Sequence, residues 1–118
     1  VTQLTSTSEE RMRGELLINA SINETIVKYA SNAREAGLDG VVCSPLEAGM
    51  VKEACGAGFM TVTPGIRFAD SGADDQVRIT TPARAREIGS DYIVVGRPIT
   101  AADDPVAAYE RCVSEFVG

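Results

Sequence analysis

Apolar positions in this chain fall into two alternating patterns, short continuous runs and stripes at helical spacing. The runs Gly40-Val41-Val42-Cys43, Phe59-Met60-Thr61-Val62-Thr63 and Asp91-Tyr92-Ile93-Val94-Val95 read as strands of the buried type. A shorter β-type segment, residues 1–5, opens the chain and ends in the hydroxyl cluster Thr5-Ser6-Thr7-Ser8. Helical stripes lie between the runs. Ile22, Ile26, Ala30 and Ala33 recur behind Ser21, which forms a capping box with Glu24, and Gly37 stops the helix. Ser44-Pro45 caps the next, with Leu46, Met50, Val51 and Ala54 as its expected inner face and Gly56 at its end. Thr81-Pro82 opens a third, closed by Gly89, and Val106, Tyr109, Val113 and Phe116 form a last stripe. The polar stretch around Glu9, Glu10 and Arg11 suits a short helix.

Strands apolar on both faces, each followed by a helix, imply a parallel sheet covered by helices. The turns after strands are longer and more polar than those after helices, as in barrels whose ligand face lies at the strand C-termini. The expected fold class is therefore α/β: four β/α units, strands 5–8 of a (β/α)8 barrel, forming one half-barrel unit over residues 1–118. An open doubly wound sheet is the alternative, weakened because no G-x-G-x-x-G opens a helix. Four units cannot close a barrel. Residues 1–5 and 92–95 would be unpaired edges, so a second copy of the chain or a missing N-terminal half is the expected partner. Val1 opens directly on a strand pattern, which suggests a chain cut at a unit boundary.

A length of 118 residues, 44% apolar and 24% charged, fits one soluble unit. No apolar run is long enough to span a bilayer, and the first residues do not form a secretory signal. The net charge of −6 argues against nucleic-acid binding but leaves room for a local anion site. Cys43, Cys55 and Cys112 have no metal-binding spacing, and the chain has no histidine. They read as small buried hydrophobes in a reducing cytosol.

Two stretches carry candidate chemistry. Residues 63–80 form a long polar loop with Arg67, Gln76 and Arg78, and it suits either a binding lid or a solvated surface. Val95-Gly96-Arg97-Pro98-Ile99 ends the last strand. There Gly96 allows close backbone approach and Arg97 offers a planar fork for phosphate oxygens. Residues 99–103 could add a helical turn beside it. The Thr5 hydroxyl suits either a hydrogen bond to a polar ring or a cap on the following turn. No general base, activated nucleophile or metal cage is apparent. Lys28 and Lys52, the only lysines, sit within helices, and Asp70, Asp74 and Asp75 read as a solvated charge run.

Thr61-Val62-Thr63-Pro64-Gly65-Ile66-Arg67, Asp75-Gln76-Val77-Arg78, Thr80-Thr81-Pro82 and residues 91–100 together resemble the C-terminal half of bacterial orotidine 5′-phosphate decarboxylase. Val1-Thr2-Gln3-Leu4-Thr5-Ser6 and residues 37–44 fit as well, so the resemblance covers essentially the whole chain. Other phosphate-sugar enzymes of the same barrel superfamily keep the glycine-arginine grip but lack the Arg67…Gln76 loop. The resemblance implies a cytoplasmic, dimeric, cofactor-free and metal-free carboxy-lyase that converts orotidine monophosphate to uridine monophosphate in pyrimidine synthesis. By position, Thr5 resembles the residue that reads the pyrimidine. Arg67, Gln76, Gly96 and Arg97 resemble the phosphate-binding set, and Pro64 and Ile66 resemble packing residues near the ring. The family's catalytic Lys/Asp array comes from the other half, so no catalytic residue is expected in this chain. A non-catalytic, self-associating half-barrel that binds a phosphate ligand is the rival reading.

Overall fold

The computed structural model describes residues 1–70 and 80–118. Three strands, β1 (Gly40–Val42), β2 (Met60–Thr63) and β3 (Tyr92–Ile93), form a parallel sheet in chain order. The register pairs Val41 with Thr61 and Val62 with Tyr92. Gly40 is required where β1 meets β2, because a Cβ there would run into the Met60 carbonyl oxygen. The helices are α1 (Glu9–Glu15), α2 (Ile22–Glu35), α3 (Pro45–Cys55), α4 (Pro82–Ile88), α5 (Arg97–Thr100) and α6 (Pro105–Phe116).

Local chemistry accounts for the helix ends. Ser21 with Glu24 and Ser44 with Glu47 form reciprocal capping boxes, and the Thr81 and Asp104 side chains accept from Arg84 N–H and Ala107 N–H. Gly89 ends α4 in the left-handed region, at φ 96°, where a side chain would be strained. The Glu9 carboxylate accepts from Ile22 N–H at 2.8 Å and ties α1 to the start of α2.

The helices lie along one face of the sheet. Helix α2 packs on α3, α3 on α4 and α4 on α6, following the strand order. Residues pointing to that face (Val41, Thr61, Thr63) are buried, whereas Met60 and Tyr92 on the other face are exposed. The molecule is only 19 Å deep along its shortest axis, the thickness of one sheet and one helix layer. This rules out a doubly wound sheet for the described residues, since that fold needs helices on both faces. A broad hollow of about 500 Å³, lined by Val42, Met60, Val62 and Tyr92, opens on the bare face, as the half-barrel expectation requires.

The core lies between β1, β2 and the first two long helices. Ile26, Ala30, Val41, Cys43, Val51, Cys55 and Phe59 form one enclosed cluster. Each large member contributes about 1.5–3 kcal/mol by leaving water.

Three expectations need correction. Residues 1–5 do not form a strand: Thr2 N–H and Oγ1 both donate to Val42 O, but the chain turns at once, with Thr7 N–H bonding Leu4 O. One residue's bonds to the β1 edge are too few to make a ladder. The inner face of α3 is Ala48, Val51 and Cys55, with Leu46 and Ala54 exposed, so the stripe is rotated by about one position. Pro45 and the buried Glu47 cap set that rotation, because Glu47 must face inward to accept Ser44 N–H at 3.0 Å. Finally, the α6 stripe is real but largely uncovered. Val106, Tyr109 and Val113 are exposed, and Cys112 is the buried residue of that helix.

Candidate functional site

The two ends of the sheet carry different chemistry. At the N-terminal end, Lys52 Nζ lies 2.6 Å from Asp91 Oδ2 and donates to the carbonyls of Ala57 and Phe59 at 3.2 Å. Asp91 also accepts from Thr61 N–H at 2.8 Å and from its hydroxyl at 3.2 Å. Burial pushes the Asp91 carboxyl up, but Lys52 and Thr61 outweigh it and hold the group below the ordinary carboxylate value. This network clamps α3, β2 and β3 together at the end of the sheet remote from Arg97. Nothing in the spacing of Lys52 and Asp91, on separate elements, foretold the pair.

At the C-terminal end, β2 runs through Pro64 and Gly65 into a segment pinned to residue 80. Arg67 N–H donates to Thr80 O at 2.9 Å and Thr80 N–H to Gly65 O at 3.1 Å, so Ile66 and Thr80 form a parallel bridge. Arg67 is buried, and its Nη1 donates to Ile66 O at 2.9 Å. Phe68 follows, also buried. Gly96 leads from β3 into α5, and its carbonyl accepts from Ile99 N–H and Thr100 N–H. The helical turn thus begins at Arg97, two residues earlier than its expected start. Open space surrounds the position where a Gly96 side chain would project.

Among the described residues, Arg97 is brought together with Phe68, Pro98, Ala101, Ala107 and Arg111 around an open cavity of about 460 Å³. Thr5 is buried in the opening turn and does not line this cavity, nor does Arg67. Gln76, with Asp74, Asp75 and Arg78, lies outside the described residues. Arg111 went unnoticed in the sequence because it sits in the middle of the α6 stripe, where a charge reads as solvated surface. All three cysteines are buried and none is in a disulfide, and burial pushes the Cys112 thiol up, as suits packing rather than nucleophilic use.

The model of the orotidine 5′-phosphate decarboxylase / HUMPS family matches residues 1–112. This chain belongs to that family. It is 58% identical over 118 residues to orotidine 5′-phosphate decarboxylase of Bacillus caldolyticus and 57% identical to that of Geobacillus kaustophilus (strain HTA426). Each alignment takes in 100% of this chain and 48% of the relative. The chain thus spans about half the length of the curated relatives it matches. Among solved structures, orotidine 5′-phosphate decarboxylase from Lactobacillus acidophilus superposes with a TM-score of 0.81 at 44% identity, over 99% of this chain and 47% of that one. The enzyme from Pyrococcus horikoshii OT3 superposes with a TM-score of 0.63 at 26% identity, over 82% of this chain and 44% of that one. The parallel sheet with one helix layer is therefore part of a decarboxylase-family (β/α)8 barrel, and its bare face is the one a closed barrel turns inward. No helix of the described residues is long and apolar enough to cross a membrane.

Proposed function

We propose that this chain is the C-terminal, phosphate- and pyrimidine-binding half of an orotidine 5′-phosphate decarboxylase, a carboxy-lyase acting in the cytoplasm on orotidine monophosphate. The observation that carries the reading is the Gly96-Arg97 turn, at the strand end where barrels hold phosphate, opening onto a cavity within a chain matched to the family over residues 1–112. In this role Arg97 meets phosphate oxygens with its planar fork, and Arg67 and Gln76 complete the set. Gly96 gives the phosphate room, and Thr5 reads the pyrimidine.

Decarboxylation leaves an electron pair on a ring carbon as CO2 departs. A nearby ammonium stabilises that pair and then protonates it. The lysines of this chain do not suit that task. Lys52 is committed to Asp91 at the far end of the sheet, and Lys28 sits on α2. On this reading the catalytic lysine and carboxylates come from a complementary half-barrel, packed against the bare sheet face. This half supplies binding energy remote from the reacting carbon, which the assembled enzyme uses to order its site.

Titration of uridine monophosphate and uridine into the purified chain tests the binding role. The nucleotide is expected to bind more tightly, and Arg97→Ala should remove roughly 1.5–3 kcal/mol of that preference. An Arg97→Ala chain that keeps the full preference would refute the phosphate assignment. The chain alone is expected to show no turnover of orotidine monophosphate; turnover at an enzymic rate would overturn the division of labour.

A second reading, a self-associating half-barrel that binds a phosphate ligand without catalysis, is favoured by the exposed sheet face and α6 stripe. Sedimentation separates the two: a stable dimer without added partner supports self-association, and a monomer supports the need for a different half.

A further inference from the structure

Arg111 joins three elements that the decarboxylase reading does not otherwise connect. Its Nε donates to Glu115 on the same helix at 2.8 Å, and its Nη1 lies 2.9 Å from Asp70 Oδ1. Its guanidinium carbon stands 4.0 Å from the centroid of the Phe68 ring, the geometry of a cation–π contact. Asp70 responds in kind: its own backbone N–H and then Arg111 hold its carboxyl below the usual carboxylate range. Phe68 and Asp70 flank the segment that follows Arg67, and Phe68, Arg97 and Arg111 line the same cavity.

An arginine so engaged is poorly placed to serve as an anion ligand. Two carboxylates already face its charge, and one face of its plane lies against an aromatic ring. What it can do is fix the Phe68 part of the wall of the cavity that Arg97 also lines. The backbone bridge between Ile66 and Thr80 holds one side of this segment to the chain that leads into α4. The Arg111 contacts hold the other side to α6. The segment carrying Arg67 and Phe68 is thus pinned from two directions.

We infer that Arg111 is a positioning residue of the phosphate cavity, acting through Phe68 and Asp70 to set the width between the segment after β2 and Arg97. The inference rests on the proposed phosphate role of Arg97. A side chain that fixes cavity width affects ligands that need both walls and leaves the rest of the ligand untouched. Arg111→Ala should therefore weaken uridine monophosphate binding while sparing uridine.

The experiment titrates the full 118-residue chain and its variants with uridine monophosphate and uridine at two salt concentrations, with thermal melts in parallel. For Arg111→Ala the expected result is a fall of about five- to tenfold in nucleotide affinity, with uridine affinity unchanged. The salt dependence of nucleotide binding should persist, because the direct charge contact belongs to Arg97. Asp70→Asn should reproduce part of the loss, and the double variant should lose less than the two single losses combined. Arg111→Lys, which keeps the charge beside Asp70 but not the planar stack, should fall between wild type and Arg111→Ala. If Arg111→Ala lowers both affinities equally, changes only the melting temperature, or abolishes the salt dependence, the positioning role is overturned. If Arg97→Ala removes the nucleotide preference and Arg111→Ala does not, this inference alone falls. If Arg97→Ala has no effect, or the chain shows no nucleotide preference, the phosphate reading and this inference fall together.

Discussion

The flank built by β1, α2 and α3 and the flank built by β3, α5 and α6 carry equally regular apolar patterns, yet only the first is enclosed. Ile26, Ala30, Val51 and Cys55 meet Val41, Cys43 and Phe59 with almost no exposed surface. On the second flank, Val106 is 67% exposed and Tyr109 59%, and a groove of about 320 Å³ opens between Ile93, Val95 and the apolar side of α6. The sequences do not explain the difference, since both helices have caps and apolar stripes. The neighbours do. Strand β1 is backed by two long helices and paired with β2, with Thr2 on its outer edge, whereas β3 has a paired strand on one side only. An apolar stripe marks the face a helix would bury and does not guarantee that the chain supplies a cover.

That contrast can be broken by mutation. Ile26→Ala, in the enclosed flank, should cost about 2–5 kcal/mol in urea or guanidinium unfolding, through lost transfer energy and the cavity left behind. A cost below 1 kcal/mol would mean that the first flank is as loose as the second.

Asp91→Asn probes the junction between the flanks and should cost about 1–2 kcal/mol, discounted because the Asp91 side chain is 34% exposed. The pH dependence gives a sharper test. The folded chain holds the Asp91 carboxyl below its ordinary value of 3.8. Its contribution is therefore complete above that value and is lost as pH falls through the depressed folded value. Wild type should lose this increment between about pH 4 and the acid limit, while Asp91→Asn loses nothing from it. Parallel acid unfolding curves for the two chains would remove the network from the account.

Ser44→Ala tests whether the enclosed flank depends on its cap. Loss of the bond accepted by the Ser44 hydroxyl, with the backbone N–H bond to Glu47 kept, should cost about 1 kcal/mol, read from the denaturation midpoint at constant slope. Smallest of all, Val106→Ala should change stability by less than about 0.5 kcal/mol in the monomeric chain. A large destabilisation there would show that α6 is covered in solution by something the isolated chain does not provide.

Local signals made much of the fold legible. Ser21 with Glu24, Ser44-Pro45, Thr81-Pro82 and Gly89 lie within a few residues of the ends they set, so those helices could be read directly. The glycine-arginine turn after the last strand was legible for the same reason. Residues 1–5 misled because a β-type pattern gives no information about whether a partner strand runs alongside long enough to form a ladder. The α3 face misled because the buried cap outweighed the size of Leu46.

By itself, then, the chain determined its strand-helix alternation, the ends of its helices, and the glycine-arginine turn at residues 96–97, all properties of neighbours in sequence. Tertiary structure alone decided which apolar stripe is enclosed, that Lys52 meets Asp91, and that Arg111 reaches Phe68 and Asp70 around a cavity shared with Arg97. Those outcomes depend on residues roughly 40 positions apart converging when strands pair and helices stack, and no short-range propensity encodes that convergence.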